Sequence, residues 1–252
     1  SFLSTMKQKS YTKQFSALFC VLILLVLINI SFGSVSIPFH EILDILSGGN
    51  SSKSSWDLII LHFRLPKAIT AVLVGSGLAI AGLLMQTLFR NPLAGPFVLG
   101  ISSGASLGVA ILLLGSGIFG GVLATIAFSS WGLAIASSIG AGLVMLAVLV
   151  TATKVRNTMS ILIIGLMFGT VTAAIISILT FFSDAEKIQQ FVFWGFGSLG
   201  NLSWNEVLIF FIIYLIAVLN LFQIIKPLNA FLLGENYSKS LGINIKKSRN
   251  II

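Results

Sequence analysis

Six long runs of apolar side chains, each about as long as a lipid bilayer is thick, constrain this chain more than anything else in it. They lie near residues 15–32, 67–89, 93–114, 131–153, 159–181 and 204–225. A hydrocarbon core about 30 Å thick takes about 20 residues of α-helix, which each run supplies. Strands of a membrane barrel would alternate apolar and polar side chains over about ten residues, and these runs do not. Composition leads to the same place: 56% of the 252 residues are hydrophobic and 9% are charged, against about 25% charged in soluble domains. So little polar surface cannot cover a water-soluble globule, so lipid must be the solvent. The expected fold class is all-α, a polytopic helical membrane protein. Residues 1–14 form a cytoplasmic N-terminal segment, 15–225 the six-span region, and 226–252 a cytoplasmic loop running into the next helix.

Orientation follows from Lys and Arg. With the N-terminus inside, the cytoplasmic side collects Lys7, Lys9, Lys13, Arg90, Lys154, Arg156, Lys226, Lys239, Lys246, Lys247 and Arg249, leaving Lys53, Arg64, Lys67 and Lys187 outside. That bias is the positive-inside pattern. It also accounts for the net charge of +8 through cytoplasmic loops, so nucleic acid is not an expected partner. The first run could be a signal peptide, but it is long and lacks a small-residue cleavage site.

Small residues form stripes within the spans. Gly100, Gly104 and Gly108 are spaced by four, as are Ala71, Gly75 and Ala79, and Gly165, Gly169, Ala173 and Ser177. At helical pitch each set shares one face and admits a neighbouring backbone. Such a face serves either static packing or a substrate path. No Asp, Glu, Lys or Arg stands near a span centre, which argues against a carrier with a carboxylate relay and against an intramembrane enzyme.

Catalytic and metal-binding patterns are absent from the sequence. His40 and His62 have no Cys partner nearby, and the lone Cys20 sits in an apolar run, so no metal site or resident cofactor is expected on this chain. "GGNSSKSS" (48–55) lacks the Gly before Lys that a phosphate loop needs, and no strand precedes it. Energy for transport would have to come from a partner or a gradient.

"RLPKAITAVLVGSGLAIAGLLMQTLFRNPLAGPFVLGISSGASLGV" (64–109) carries a resemblance, continued by "LIIGLMFG" (162–169), "FVFWGFGSLGNLSW" (191–204) and "LLGENYSKSLGINIKKSRN" (232–250). In this order the four segments resemble FecCD-type permeases, the membrane subunits of importers for iron-siderophore complexes, haem and vitamin B12. The resemblance implies a partial ABC type II importer permease fold, with about ten helices in a whole subunit. It also implies a homodimer with the pathway on its two-fold axis in a bacterial cytoplasmic membrane. Two ATP-binding subunits, carrying ATP and magnesium, would lie below and an extracytoplasmic substrate-binding protein above. The chain ends after the sixth span and the loop that follows, so either a fragment or a truncated gene product is expected. The competing reading is half of a secondary carrier with internal repeats.

Several residues acquire roles by this resemblance. Arg64 and Lys67 would dock the binding protein through its carboxylates, although Lys67 stands where the family usually has Arg and gives up the bidentate contact. Asn157, Thr158 and Ser160 would form a small polar gate, with Gly165 and Gly169 along the path; an N-cap is the competing reading of Asn157 and Thr158. Gly75, Gly100, Gly104 and Gly108 would serve helix packing. Leu232, Leu233, Tyr237 and Leu241 recur at helical spacing, with Gly234 between Leu233 and Tyr237, Glu235 near the start of the helix and Gly242 as its C-cap. The resemblance assigns this loop to ATPase coupling, with Ser238 where Ala is usual.

Overall fold

The computed structural model describes residues 11–49, 51–115, 129–152, 155, 158–200, 202–233, 240 and 242. These residues are helical and include no strand. In chain order the helices are α1 (Thr12–Ser31), α2 (Phe39–Leu46), α3 (Ser54–Ile59), α4 (Leu65–Phe89), α5 (Ile101–Leu113), α6 (Ser130–Ala152), α7 (Thr158–Phe181), α8 (Ala185–Gly195), α9 (Trp204–Leu221) and α10 (Ile225–Leu233). A π-helical segment, Ile60–Arg64, joins α3 to α4, and a 3-10 turn, Pro96–Leu99, precedes α5. Five helical stretches are long and apolar enough to cross a membrane: Thr12–Ser31, Ser54–Phe89, Trp131–Thr151, Ser160–Phe181 and Trp204–Leu221.

The third expected span differs from its prediction. The run 93–114 contains α5, whose 13 residues span only about 20 Å at 1.5 Å per residue. Its first part is spent on a turn. Arg90 has a φ of 48° and Gly100 one of 73°, and the Asn91 side chain accepts a hydrogen bond from the Leu93 N–H at 2.9 Å. Pro92 and Pro96 have no N–H to give to a continuous helix. A short apolar helix of this kind belongs inside a helical layer rather than against lipid, and Gly104, Val109, Ala110, Leu112 and Leu113 of α5 are buried. The other span boundaries shift less. The second begins at Leu65 and continues back through the π-segment to Ser54, and the sixth stops at Leu221.

The described residues fall into two compact units, 1–74 with 199–213, and 75–198 with 214–252. In the first unit, Ile30 at the end of α1 packs with Ile37, Ile42 and Ile45 around α2, and with Ile60 and Ala68. α2 is short and amphipathic, so its two isoleucines turn inward together. In the second unit α5 packs against α6 and α7. Met85, Phe89, Leu99, Val144, Val148 and Ile161 form one core there. Val109, Leu112 and Leu113 form another, covered by Phe191 and Trp194 of α8, whose rings stack at 6.5 Å. Buried hydroxyls inside the helices return to their own backbone, as Thr70 does to the Pro66 carbonyl and Thr87 to that of Leu83, each at 2.8 Å, which satisfies both donors away from water.

Candidate functional site

Among the described residues of the first unit, Arg64 is the one buried cation. It closes the π-segment and is buried, 7% exposed. Its Nη1 donates to the carbonyls of Ile30 at 2.8 Å and Ser31 at 2.9 Å, and Nη2 donates to that of Val35. The last carbonyls of an α-helix have no partner in the helix itself, and a cation there also meets the negative end of its dipole. Arg64 therefore caps α1 and fastens the chain that leaves it. Gly33 makes room for this, since a Cβ there would stand 2.8 Å from Nη2. The expectation that Arg64 presents its charge to a binding protein meets this geometry: the guanidinium is turned inward and spent on carbonyls. Lys67, one turn later, is exposed.

The π-segment supplies a second fastening. The Leu65 N–H reaches back five residues to Ile60, and the Leu61 carbonyl accepts a hydrogen bond from Trp204 Nε1 at 3.0 Å. Widened turns of this kind release backbone groups from the regular ladder. Trp204 opens α9, so residues far apart in sequence meet on one segment.

Nearby, Glu41 is buried on α2. Its carboxylate accepts hydrogen bonds from the Ser52 hydroxyl and from the Ser52 N–H. The Ser52 hydroxyl, then the Ser52 N–H, hold its carboxyl below the usual range against the opposing pull of burial, with a smaller contribution from His40.

In the second unit the glycines bring backbones together. A Cβ on Gly100 would stand 2.8 Å from the Gly165 carbonyl oxygen, and one on Gly104 2.6 Å from that of Gly140. Gly108 faces the Ala136 carbonyl in the same way, and a Cβ on Gly165 would stand 2.8 Å from the Leu99 Cα. Gly100, Gly104 and Gly108 thus lie at close approaches to a neighbouring backbone. Gly165, expected along the path, faces the Val98–Leu99 backbone, and Gly169 lies against Ser103. A Cβ on Gly75 would meet nothing within 4 Å among the described residues.

The remaining expected sites are only partly within the described residues. Thr158 begins α7 and Ser160 is half-buried in its first turn, while Asn157 lies outside the described residues. Gly234, Glu235, Tyr237 and Leu241 also lie outside them. Leu232 and Leu233 end α10, a helix that starts at Ile225, rather than opening a later one. Gly242 has a φ of 76°, the left-handed conformation that a C-terminal glycine supplies at least cost.

The FecCD transport family is matched over residues 21–252. The chain belongs to the FecCD transport family. A family member of Helicobacter pylori named for iron chelatin transport is 36% identical over 235 residues, covering 90% of this chain and 68% of that one. The molybdate import system permease protein MolB of Haemophilus influenzae is 29% identical over 253 residues, covering 98% of this chain and 72% of that one. A solved inward-facing ABC transporter described as of metal-chelate type aligns with a TM-score of 0.77 at 27% identity, covering 95% of this chain and 70% of that chain. The chain spans 61 to 72% of the length of the curated relatives it matches.

Sequence reasoning missed three contributors in this family member. Gly140 had a visible signal, since Gly132, Ala136 and Gly140 are also spaced by four. Gly33 and the Leu61 carbonyl had none, because both depend on a guanidinium and an indole arriving from elsewhere in the fold.

Proposed function

We propose that this chain is the membrane permease subunit of a binding-protein-dependent ABC importer. ATP would be hydrolysed on two separate subunits, and the chain would act in a homodimer. The observation that carries the reading is the FecCD match across 21–252, laid over five membrane-length helices. Iron-siderophore complexes are the proposed cargo, supported by the iron chelatin name of one relative and the metal-chelate description of the solved transporter. The molybdate name of another relative makes cargo the finer and separately testable part.

Of the basic pair, exposed Lys67 is the proposed docking contact for the binding protein, because the Arg64 guanidinium is enclosed. The proposed gate is at Asn157, Thr158 and Ser160, and the proposed coupling surface follows α10 at Gly234, Glu235, Tyr237, Leu241 and Gly242.

The test is reconstitution of the chain in proteoliposomes with its ATPase subunits and binding protein. Binding-protein-dependent uptake of labelled ferric siderophore, with ATP hydrolysis stimulated by the loaded binding protein, supports the reading. Uptake driven by an ion gradient without ATP hydrolysis refutes it in favour of a secondary carrier. Uptake of haem, cobalamin or molybdate instead of siderophore reassigns the cargo and leaves the importer reading standing.

A further inference from the structure

The 36 residues Ser54–Phe89 run as one helical stretch with a widened turn inside it, at Ile60–Arg64. Pro66 explains the position of that turn. It has no N–H, and in a regular helix its ring would press on the His62 carbonyl four residues back. Opening the helix just ahead of it relieves that contact, and the Leu65 N–H bonds the Ile60 carbonyl instead of that of Leu61.

One carbonyl is then left over. In an α-helix the Leu61 carbonyl would take the Leu65 N–H, which is already given to Ile60. In a π-turn it would take the N–H of residue 66, which is proline. Neither register supplies a main-chain donor, and a carbonyl without a partner is costly in a helix of membrane length. The Trp204 Nε1–H supplies the bond, at 3.0 Å. An indole thus restores what the proline removed.

Trp204 is itself held in place. The Ser203 N–H donates to the Glu206 carboxylate at 2.7 Å, and the Ser203 hydroxyl accepts from the Glu206 N–H at 3.4 Å, a reciprocal box that fixes the first turn of α9. At the far end of the π-turn, Arg64 donates to the carbonyls of Ile30, Ser31 and Val35. Those bonds are charge-assisted, and each is stronger than a neutral indole bond. The two fastenings of the joint are therefore unequal, and strain on it opens the indole bond first.

We propose that Leu61, Pro66 and Trp204 form a latch built into the fold: Pro66 creates the orphan carbonyl, Trp204 closes it, and the first turn of α9 can leave the joint by breaking the indole bond while Arg64 keeps α1 attached. The latch depends neither on the cargo nor on the transport reading.

The test uses the full chain in mixed micelles with isotope-labelled tryptophan. Exchange of the Trp204 indole N–H, identified by its absence in Trp204→Phe, is followed by NMR in deuterium oxide across a denaturant series. The latch predicts exchange that is independent of denaturant and faster than global unfolding allows, the mark of local opening. A double-mutant cycle then reads the link between Pro66 and Trp204. Trp204→Phe should lower the folding equilibrium constant about fivefold in a chain that keeps Pro66, the effect of one neutral hydrogen bond. In Pro66→Ala the same change should cost less than about twofold, because the restored main-chain donor takes the Leu61 carbonyl. Exchange of the Trp204 N–H only through global unfolding, or equal losses in the two backgrounds, would overturn the latch. Should Pro66→Ala fail to fold, the exchange measurement on the wild-type chain decides alone.

Discussion

At Arg64 a single guanidinium satisfies carbonyls from the last turn of α1 and from the segment beyond it. Arg64→Ala leaves those acceptors without a donor, and the expected loss is about 3 kcal/mol of stability, measured by chemical unfolding in mixed micelles. Arg64→Lys should recover only part of it, because an ammonium cannot reproduce the planar fork. Gly33→Ala pushes a methyl into the same guanidinium and should cost about 1–3 kcal/mol. The sequence marked Arg64 as important for its charge; its use as a cap depends on three carbonyls that no spacing rule brings to it. Glu41 carries the pH dependence of this region. Its pKa lies below the ordinary 4.5, so its contribution is fully present above that value and is lost as pH falls through the depressed folded pKa. Acid unfolding of the first unit should therefore begin below about pH 4.5, and Glu41→Gln should flatten that limb when followed by Trp56 fluorescence.

Among the elements, the glycine-lined contacts of α5 with α6 and α7 set the spacing of the second unit. Gly108→Leu drives a large side chain into the Ala136 backbone. It should cost at least ~3 kcal/mol, the upper range for overpacking, while Gly75→Ala should stay within about 0.5 kcal/mol of wild type. Thermal unfolding of the two variants in the same detergent compares them directly. Equal melting temperatures would show that the α5 contacts do not carry the packing. The long helices were legible because apolar length alone specifies a span. α5 is shorter than the run that predicted it because the turn from Arg90 to Gly100 takes up the start of that run, which hydropathy does not report. The four-residue glycine spacings pointed to faces that admit a neighbour, and Gly100, Gly104 and Gly108 lie against backbone carbonyls. They could not say which face finds a neighbour: Gly165 meets the Val98–Leu99 backbone, and a Cβ on Gly75 would meet nothing within 4 Å among the described residues.

For the whole molecule, the positive-inside bias gives a topology that labelling can check. Cysteines at Lys53 and Lys187 should react with an impermeant thiol reagent from outside intact cells, and cysteines at Lys154 and Arg156 only after permeabilisation. The reverse pattern would invert the orientation. Lys67→Glu should weaken association with the binding protein, most at low salt where charge attraction is least screened, as read by surface plasmon resonance across a salt series. Family membership was legible in the sequence because its motifs are long and ordered; the enclosed guanidinium was not, because its surroundings are assembled from distant segments.

The glycine contacts also bear on how such a molecule can move. Where side chains separate two helices, rotamer changes let them roll or slide by small steps. Gly100, Gly104 and Gly108 each meet a backbone carbonyl of a neighbouring helix, with Val144 the side chain beside the first two, so that lubricating layer is thin. Helices α5, α6 and α7 should consequently travel as one slab. Any change of access would be taken up in turns and element ends outside it, and freezing the slab with an α5–α6 disulfide should leave that change intact.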